Sequence, residues 1–167
     1  MKTNFLFAGC FDSDGKVLLI HKPFQRKGYV SAKMCLPGGK LPKGLLFDEE
    51  WKRFLFAKKI AEQTGFTHFE KDGKSVPIET DLQLSPVTVD CCKKYPIAIV
   101  GIVRDEAKSS VGALDIAAFH DFSDFMTRVY LREVSSVQEH LILRVFASKE
   151  NPNKYDQEKA KKQLKEC

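Results

Sequence analysis

Lys59, Glu62 and Gln63 stand at positions i, i+3 and i+4 of the stretch from Lys58 to Gly65, and on a helix that spacing puts their side chains on one face. The face offers one carboxylate, one carboxamide and one ammonium group, with Lys58 supplying a second ammonium beside it. Glu62 suits the role of metal ligand or general base, while Lys58 and Lys59 suit the holding of an anion such as phosphate. The plain alternative is a surface glutamate paired with either lysine at short helical spacing. A second cationic set lies upstream: from His21 to Lys40 there are five basic side chains (Lys22, Arg26, Lys27, Lys33, Lys40) and no acid. Arg26, Lys27 and Lys40, beside the glycine pair Gly38 and Gly39, form a basic edge able to contact phosphates. A solvated loop of solubilising lysines explains the same residues.

These side chains need elements to hold them. Phe5 to Cys10 and Val17 to Ile20 flank the turn residues Asp12, Ser13, Asp14 and Gly15, which predicts a β-hairpin. Pro23 to Lys33 is polar and basic and reads as a loop, followed by a short apolar strand at Met34 to Leu36 that Pro37, Gly38 and Gly39 stop. Phe47 or Asp48 can start a helix with Glu49 and Glu50 in its first turn, and Gly65 is placed to close it. Along that helix Trp51, Phe54, Leu55, Ala57, Ile60 and Ala61 recur at spacings of three and four, the pattern of a packed face. Trp51, Phe54 and Phe56 make a bulky cluster suited to core or to a dimer surface. Strands are expected around Leu82 to Val89 and Ile97 to Val103, and a helix over Ser135 to Ser148. From Asn151 the chain alternates Lys, Glu and Gln, as a solvated helix or a mobile end would. Residues 1–150 are read as one domain and 151–167 as its charged tail.

The totals agree with one core: 167 residues, 43% hydrophobic and 29% charged, are enough for a single compact domain. With 27 Lys and Arg against 22 Asp and Glu the formal charge is +5, so the chain is mildly basic. No apolar run is long enough to span a bilayer, and the start at Met1, Lys2, Thr3 and Asn4 has no secretory pattern, which points to a cytosolic protein without membrane partners. The five cysteines, Cys10, Cys35, Cys91, Cys92 and Cys167, fit neither a zinc cage nor a disulfide framework and are expected reduced. Cys91 and Cys92 are adjacent, so on a strand they point to opposite faces.

The order of strand, Pro-Gly-Gly-Lys bend and helix ending in Glu-Gln-Thr-Gly-Phe resembles the Nudix family, whose box is G-x5-E-x7-R-E-U-x-E-E-x-G-U with U apolar. Leu36 to Lys40 matches the entry to the box and Lys58 to Phe66 its exit, with Ile60, Gly65 and Phe66 kept. The resemblance implies an α/β fold, an α/β/α sandwich with a mixed sheet. It also implies pyrophosphohydrolase chemistry on nucleoside diphosphates linked to another group, with Mg²⁺ or Mn²⁺ held by glutamates on the helix face and used to activate water. Here Lys59 and Gln63 replace two of those glutamates, Lys58 stands for the arginine, and Glu62 alone remains. Counted from Gly39 the first box glutamate falls on Leu45, with twelve residues before Lys58 where the family has seven; a five-residue insertion reconciles them. Counted from Gly44, Glu50 takes that place.

The expected site is therefore Glu62 and Glu50 as catalytic carboxylates, Glu62 and the Gly39 carbonyl as metal ligands, and Arg26, Lys27, Gly38, Gly39, Lys40, Lys58 and Lys59 around the substrate. The resemblance also makes His120 and His140, with Glu133 and Glu139 nearby, candidates for a second-half base; ordinary boundary residues are the alternative. With so few acids left, metal-dependent hydrolysis is expected weak or lost, with no cofactor if the protein is a pseudo-enzyme. A nucleotide or other phosphate-bearing molecule is the expected partner, with RNA binding or a homodimer scaffold as alternatives.

Overall fold

The computed structural model describes residues 5–26, 29–40, 49–71, 73–80, 83–89, 93–102 and 117–166. Its first elements are β1 (Phe5–Phe11) and β2 (Val17–Arg26), the hairpin expected from the turn residues. Asp12 builds the turn, its Oδ1 accepting from the backbone N–H groups of Asp14 and Lys16, both at 2.9 Å. Beyond the pair Phe11 and Val17 the two strands part, and the following chain enters the gap. Its first stretch, β3 (Tyr29–Cys35), pairs with β2; its second, β4 (Gly38–Lys40), pairs with β1. Pro23 to Lys33 is thus largely strand rather than loop, a correction with a clear cause. The edge position lets Pro23, Arg26 and Lys33 sit in a ladder that their side chains alone would not favour.

The helix α1 (Glu49–Thr64) follows, then β5 (His68–Lys71), β6 (Lys74–Pro77), a single 3-10 turn at Ile78–Thr80, β7 (Gln83–Val89) and β8 (Lys93–Ile102). Among the described residues the remaining elements are β9 (Ala117–His120), α2 (Phe122–Tyr130), α3 (Ser136–Phe146) and α4 (Lys154–Glu166). The strands join one sheet in which β1 and β8 run parallel and the other pairs antiparallel, with β9 on β2 and β7 on β8. The mixed sheet of the expected sandwich is present.

Alternation along the strands explains the layers. Phe7, Phe11, Val17 and Leu19 face one way and pack with Phe125, Leu141, Ile142, Val145 and Phe146 of α2 and α3 and with Ala160 of α4. Leu6, Ala8, Cys10 and Leu18 face the other way and pack with Phe56 and Ile60 of α1 and with Phe66 and Ile78. Each fully buried Phe or Leu contributes roughly 1.5–3 kcal/mol relative to exposure, so two such clusters fix both helix layers. On α1 the buried line is Phe56, Ile60 and Thr64, and Phe54, expected on the packed face, is 53% exposed. The cysteines described, Cys10 and Cys35, are buried thiols, and burial pushes the Cys10 thiol up to about 12. Trp51's side chain and Cys91 and Cys92 lie outside what is described.

The segment from Asn151 is an anchored helix. Asn151 is fully buried, donates from Nδ2 to the Phe146 carbonyl at 2.8 Å and accepts at Oδ1 from the Asn153 N–H at 2.9 Å. Asn153 caps α4 through the Asp156 N–H at 3.1 Å and donates to the Asp14 carbonyl at 3.3 Å, joining the helix to the first hairpin. Asn151→Ala leaves a buried carbonyl and a buried N–H without partners, and is expected to cost about 1–3 kcal/mol, read by urea denaturation as a lower midpoint with an unchanged slope.

Candidate functional site

The end of α1 is set by Thr64, whose buried hydroxyl donates to the Ile60 carbonyl at 2.7 Å and accepts from the Phe66 N–H at 3.1 Å. Gly65 closes the helix at a φ of 80°, as a left-handed C-terminal residue does. With Phe56, Ile60 and Thr64 turned to the core, Lys58 and Glu62 project outward and are exposed, while Lys59 and Gln63 are half-buried. Gln63 reaches the bend that precedes β4. Its Oε1 accepts from the Gly38 N–H at 2.7 Å and its Nε2 donates to the Gly38 carbonyl at 3.0 Å. Both backbone groups of one residue are thus met by one side-chain amide.

Gly38 has no room for a side chain: a Cβ there would lie 2.1 Å from the Leu6 carbonyl oxygen, and its φ of 126° is one that L-residues avoid. The close approach is what brings the bend under the helix end. On the opposite face α3 acts similarly, Gln138 Oε1 accepting from the Leu36 N–H at 3.0 Å. The backbone also ties in through Ala8 N–H to the Pro37 carbonyl at 2.8 Å and Met34 N–H to the Glu133 carbonyl at 2.9 Å.

This donor set does not suit a hard divalent cation. Mg²⁺ asks for several carboxylate or carbonyl oxygens in near-octahedral array, whereas the helix face holds one exposed carboxylate, an ammonium and an amide whose two polar atoms are already engaged. The Gly38 carbonyl is taken by Gln63. Among the described residues no group of three or more His, Cys, Asp or Glu side chains is placed to hold a metal ion.

The other expected site residues are only partly gathered. Lys58, Lys59, Glu62, Gly38 and Gly39 belong to the junction of α1 with β4, and Gly39 pairs with Leu6 in the sheet. Lys40 pairs with Phe5 at the backbone, directly beyond Gly39. Glu50 is the second residue of α1, twelve positions before Glu62, which at the helical rise is about 18 Å along the axis. Glu50 and Glu62 therefore stand apart along one helix. Arg26 pairs with Tyr29 at the tip of the β2–β3 hairpin, six rungs from the pair Ile20 and Cys35 and so about 20 Å from the bend. Lys27 lies outside the described residues.

A second cluster, on the face that carries α2 and α3, was only partly visible in the sequence. His120 is 9% exposed and its Nδ1 meets the Asp124 carboxylate. Arg128 forms an ion pair with Asp124 at 3.7 Å and a hydrogen bond to Glu133 at 2.9 Å, so a chain of polar contacts runs from the end of β9 across α2 to the turn beyond it. The ring of His21 stands 6.2 Å from that of His120. Burial holds His21 below the usual imidazole range, reinforced by the facing His120 and Arg128. His140 is half-buried along α3, and Glu139 lies in the first turn of that helix. Residues that sequence reasoning missed, Asp124 and Gln138, did have a signal: Asp121-x-x-Asp124 and Ser135-x-x-Gln138 are N-cap patterns. Asp121 and Ser135 do cap α2 and α3, while the side chains of Asp124 and Gln138 turn elsewhere.

No helix among the described residues is long and apolar enough to cross a membrane. No family sequence model matches the chain, and no curated protein matches it in sequence. Solved structures do. A Nudix hydrolase from Nitrosomonas europaea superposes over 90% of this chain and 92% of its own, with a TM-score of 0.51 at 12% identity. The E. coli ORF135 protein covers 79% of this chain and 94% of its own at a TM-score of 0.40 and 15% identity. The MutT protein from Methanosarcina mazei Go1 covers 61% and 64% at 0.36 and 19%. With the bend, the box helix and the two-faced sheet in the order the sequence resemblance requires, this chain has the fold of the Nudix hydrolases.

Proposed function

We propose that this Nudix-fold protein binds a phosphate-bearing ligand, by class a nucleoside diphosphate derivative, with metal-dependent hydrolysis weak or lost. The observation that carries the reading is the double hydrogen bond between Gln63 and Gly38. A glutamate at position 63 would set a carboxylate oxygen against the Gly38 carbonyl oxygen, and a cation between them would relieve the repulsion. The amide places an N–H there instead, so the loop and the helix are joined without an ion. Lys59 adds to this, because a unit charge about 4 Å from a divalent ion costs several kcal/mol at an effective dielectric of about 20. The same ammonium, with exposed Lys58 beside it, favours a phosphate held directly as a point-charge contact.

In this reading no acid among the described residues joins Glu62 at a metal site, and Arg26, at the tip of the β2–β3 hairpin, stands too far from the bend to share the same phosphate. Binding, rather than bond cleavage, is the chemistry the face supports.

With Mg²⁺ or Mn²⁺ present, ADP-ribose, dinucleoside polyphosphates, oxidised nucleotides and capped RNA are expected to show negligible turnover. With metal chelated, calorimetry is expected to show binding of at least one of them, weakened about tenfold or more by Lys59→Glu. Robust turnover that disappears in Glu62→Gln overturns the proposal. Affinity confined to RNA and falling steeply with salt moves the ligand class from nucleotide to RNA.

Gln63→Glu supplies a second test. The new carboxylate still accepts from the Gly38 N–H but no longer donates to the Gly38 carbonyl, so the variant is expected to lose about 1–3 kcal/mol at neutral pH, read as a lower urea midpoint. Adding Mg²⁺ is expected to raise the Tm of the Lys59→Glu, Gln63→Glu double variant and leave that of the natural protein unchanged.

A further inference from the structure

We propose that His21 and His120 form a binding site for one borderline transition-metal ion, of the class of Zn²⁺ or Cu²⁺, on the sheet face opposite α1. Val17 and Leu19 pack toward α2 and α3, and His21 shares their strand parity. His120 lies across from Val17 on the neighbouring strand and His21 is one residue past the pair Ile20 and Ala117; the two rings stand 6.2 Å apart, inclined at 50°. Metal–nitrogen bonds of about 2.0–2.1 Å put two imidazoles on one ion at centroid separations of roughly 5–6.5 Å. The observed 6.2 Å lies within that range.

His120 is already prepared as a ligand. Its Nδ1 is engaged by Asp124, the carboxylate–histidine arrangement that fixes the tautomer in metal sites and leaves Nε2 as the lone-pair donor. That Nε2 is buried and has no hydrogen-bond partner, in a side chain only 9% exposed. An unfilled buried acceptor is unfavourable, and a metal–nitrogen bond would fill it. Asp124 is kept in place by Arg128, whose own charge is matched by Glu133 at 2.9 Å, so the pair adds little repulsion for a cation. Ala118, between the two histidine positions in the register, is exposed on β9.

Two nitrogen donors select borderline ions in the order that places Cu²⁺ and Zn²⁺ above Co²⁺ and Mn²⁺, and they do not select Mg²⁺. Among the described residues no third His, Cys, Asp or Glu completes the set; the remaining positions belong to water or an external ligand, which leaves the ion open for exchange.

The test uses the full chain stripped with chelator and titrated with Zn²⁺, read by the imidazole nitrogen resonances in NMR and by calorimetry. The expected result is a shift of the His21 and His120 ring nitrogens ahead of His68 and His140. His21→Gln is expected to abolish that binding while keeping the native near-ultraviolet dichroism, and Asp124→Asn to weaken it about 10- to 100-fold. Zn²⁺ that shifts neither ring, binding undiminished in His21→Gln as when Cys91, Cys92 or Cys167 is the acceptor, or an equal response to Mg²⁺ would each overturn the site.

Discussion

The bend at Pro37 and Gly38 is the constraint on which the molecule turns. One chain leaves β2 there and joins β1, so for two residues the ladder is interrupted and backbone groups need other partners. Two glutamine amides supply them from opposite sides of the sheet, Gln138 of α3 at Leu36 and Gln63 of α1 at Gly38. Each helix is fixed in azimuth by the bend it serves, and the bend is fixed by both helices. An apolar layer alone would hold the helices against the sheet while leaving their rotation and slide loosely determined.

That coupling explains how the fold persists while the helix face has so little negative charge. In a metal-holding version of such a junction the ion itself would link helix to loop; here a neutral amide does so, and the acids are not needed for architecture. The junction is held by the two hydrogen bonds of Gln63 to Gly38 and by the apolar layer beneath α1.

The second half of the chain is organised by polar anchors as much as by its apolar face. Asn151 satisfies the end of α3 and orients the cap of α4, and Asn153 reaches the first hairpin. Asp124 links His120 to Arg128 and so fastens the end of β9 to α2. These short polar side chains lie at helix ends, where orphaned backbone groups concentrate, and their reach decides which elements touch.

Much of this was written locally. The turn at Asp12 to Gly15, the stop at Pro37 to Gly39, the closure of α1 at Gly65 and the cap of α3 at Ser135 each depend on one or two residues whose backbone preferences act within a few positions, and the resemblance of the bend and helix end to the Nudix box followed from them. The stretch from Pro23 to Lys33 was misread because the ladder between β2 and β3 overrides its polar composition, and Phe54 was assigned to the packed face because a period of three or four fits two neighbouring stripes of α1. Sequence by itself determined the layered fold and the shortage of acids on that helix. Only tertiary structure decided that Gln63 holds Gly38 and that His21 meets His120, because each depends on how separate elements are rotated and set against one another, which no local preference encodes.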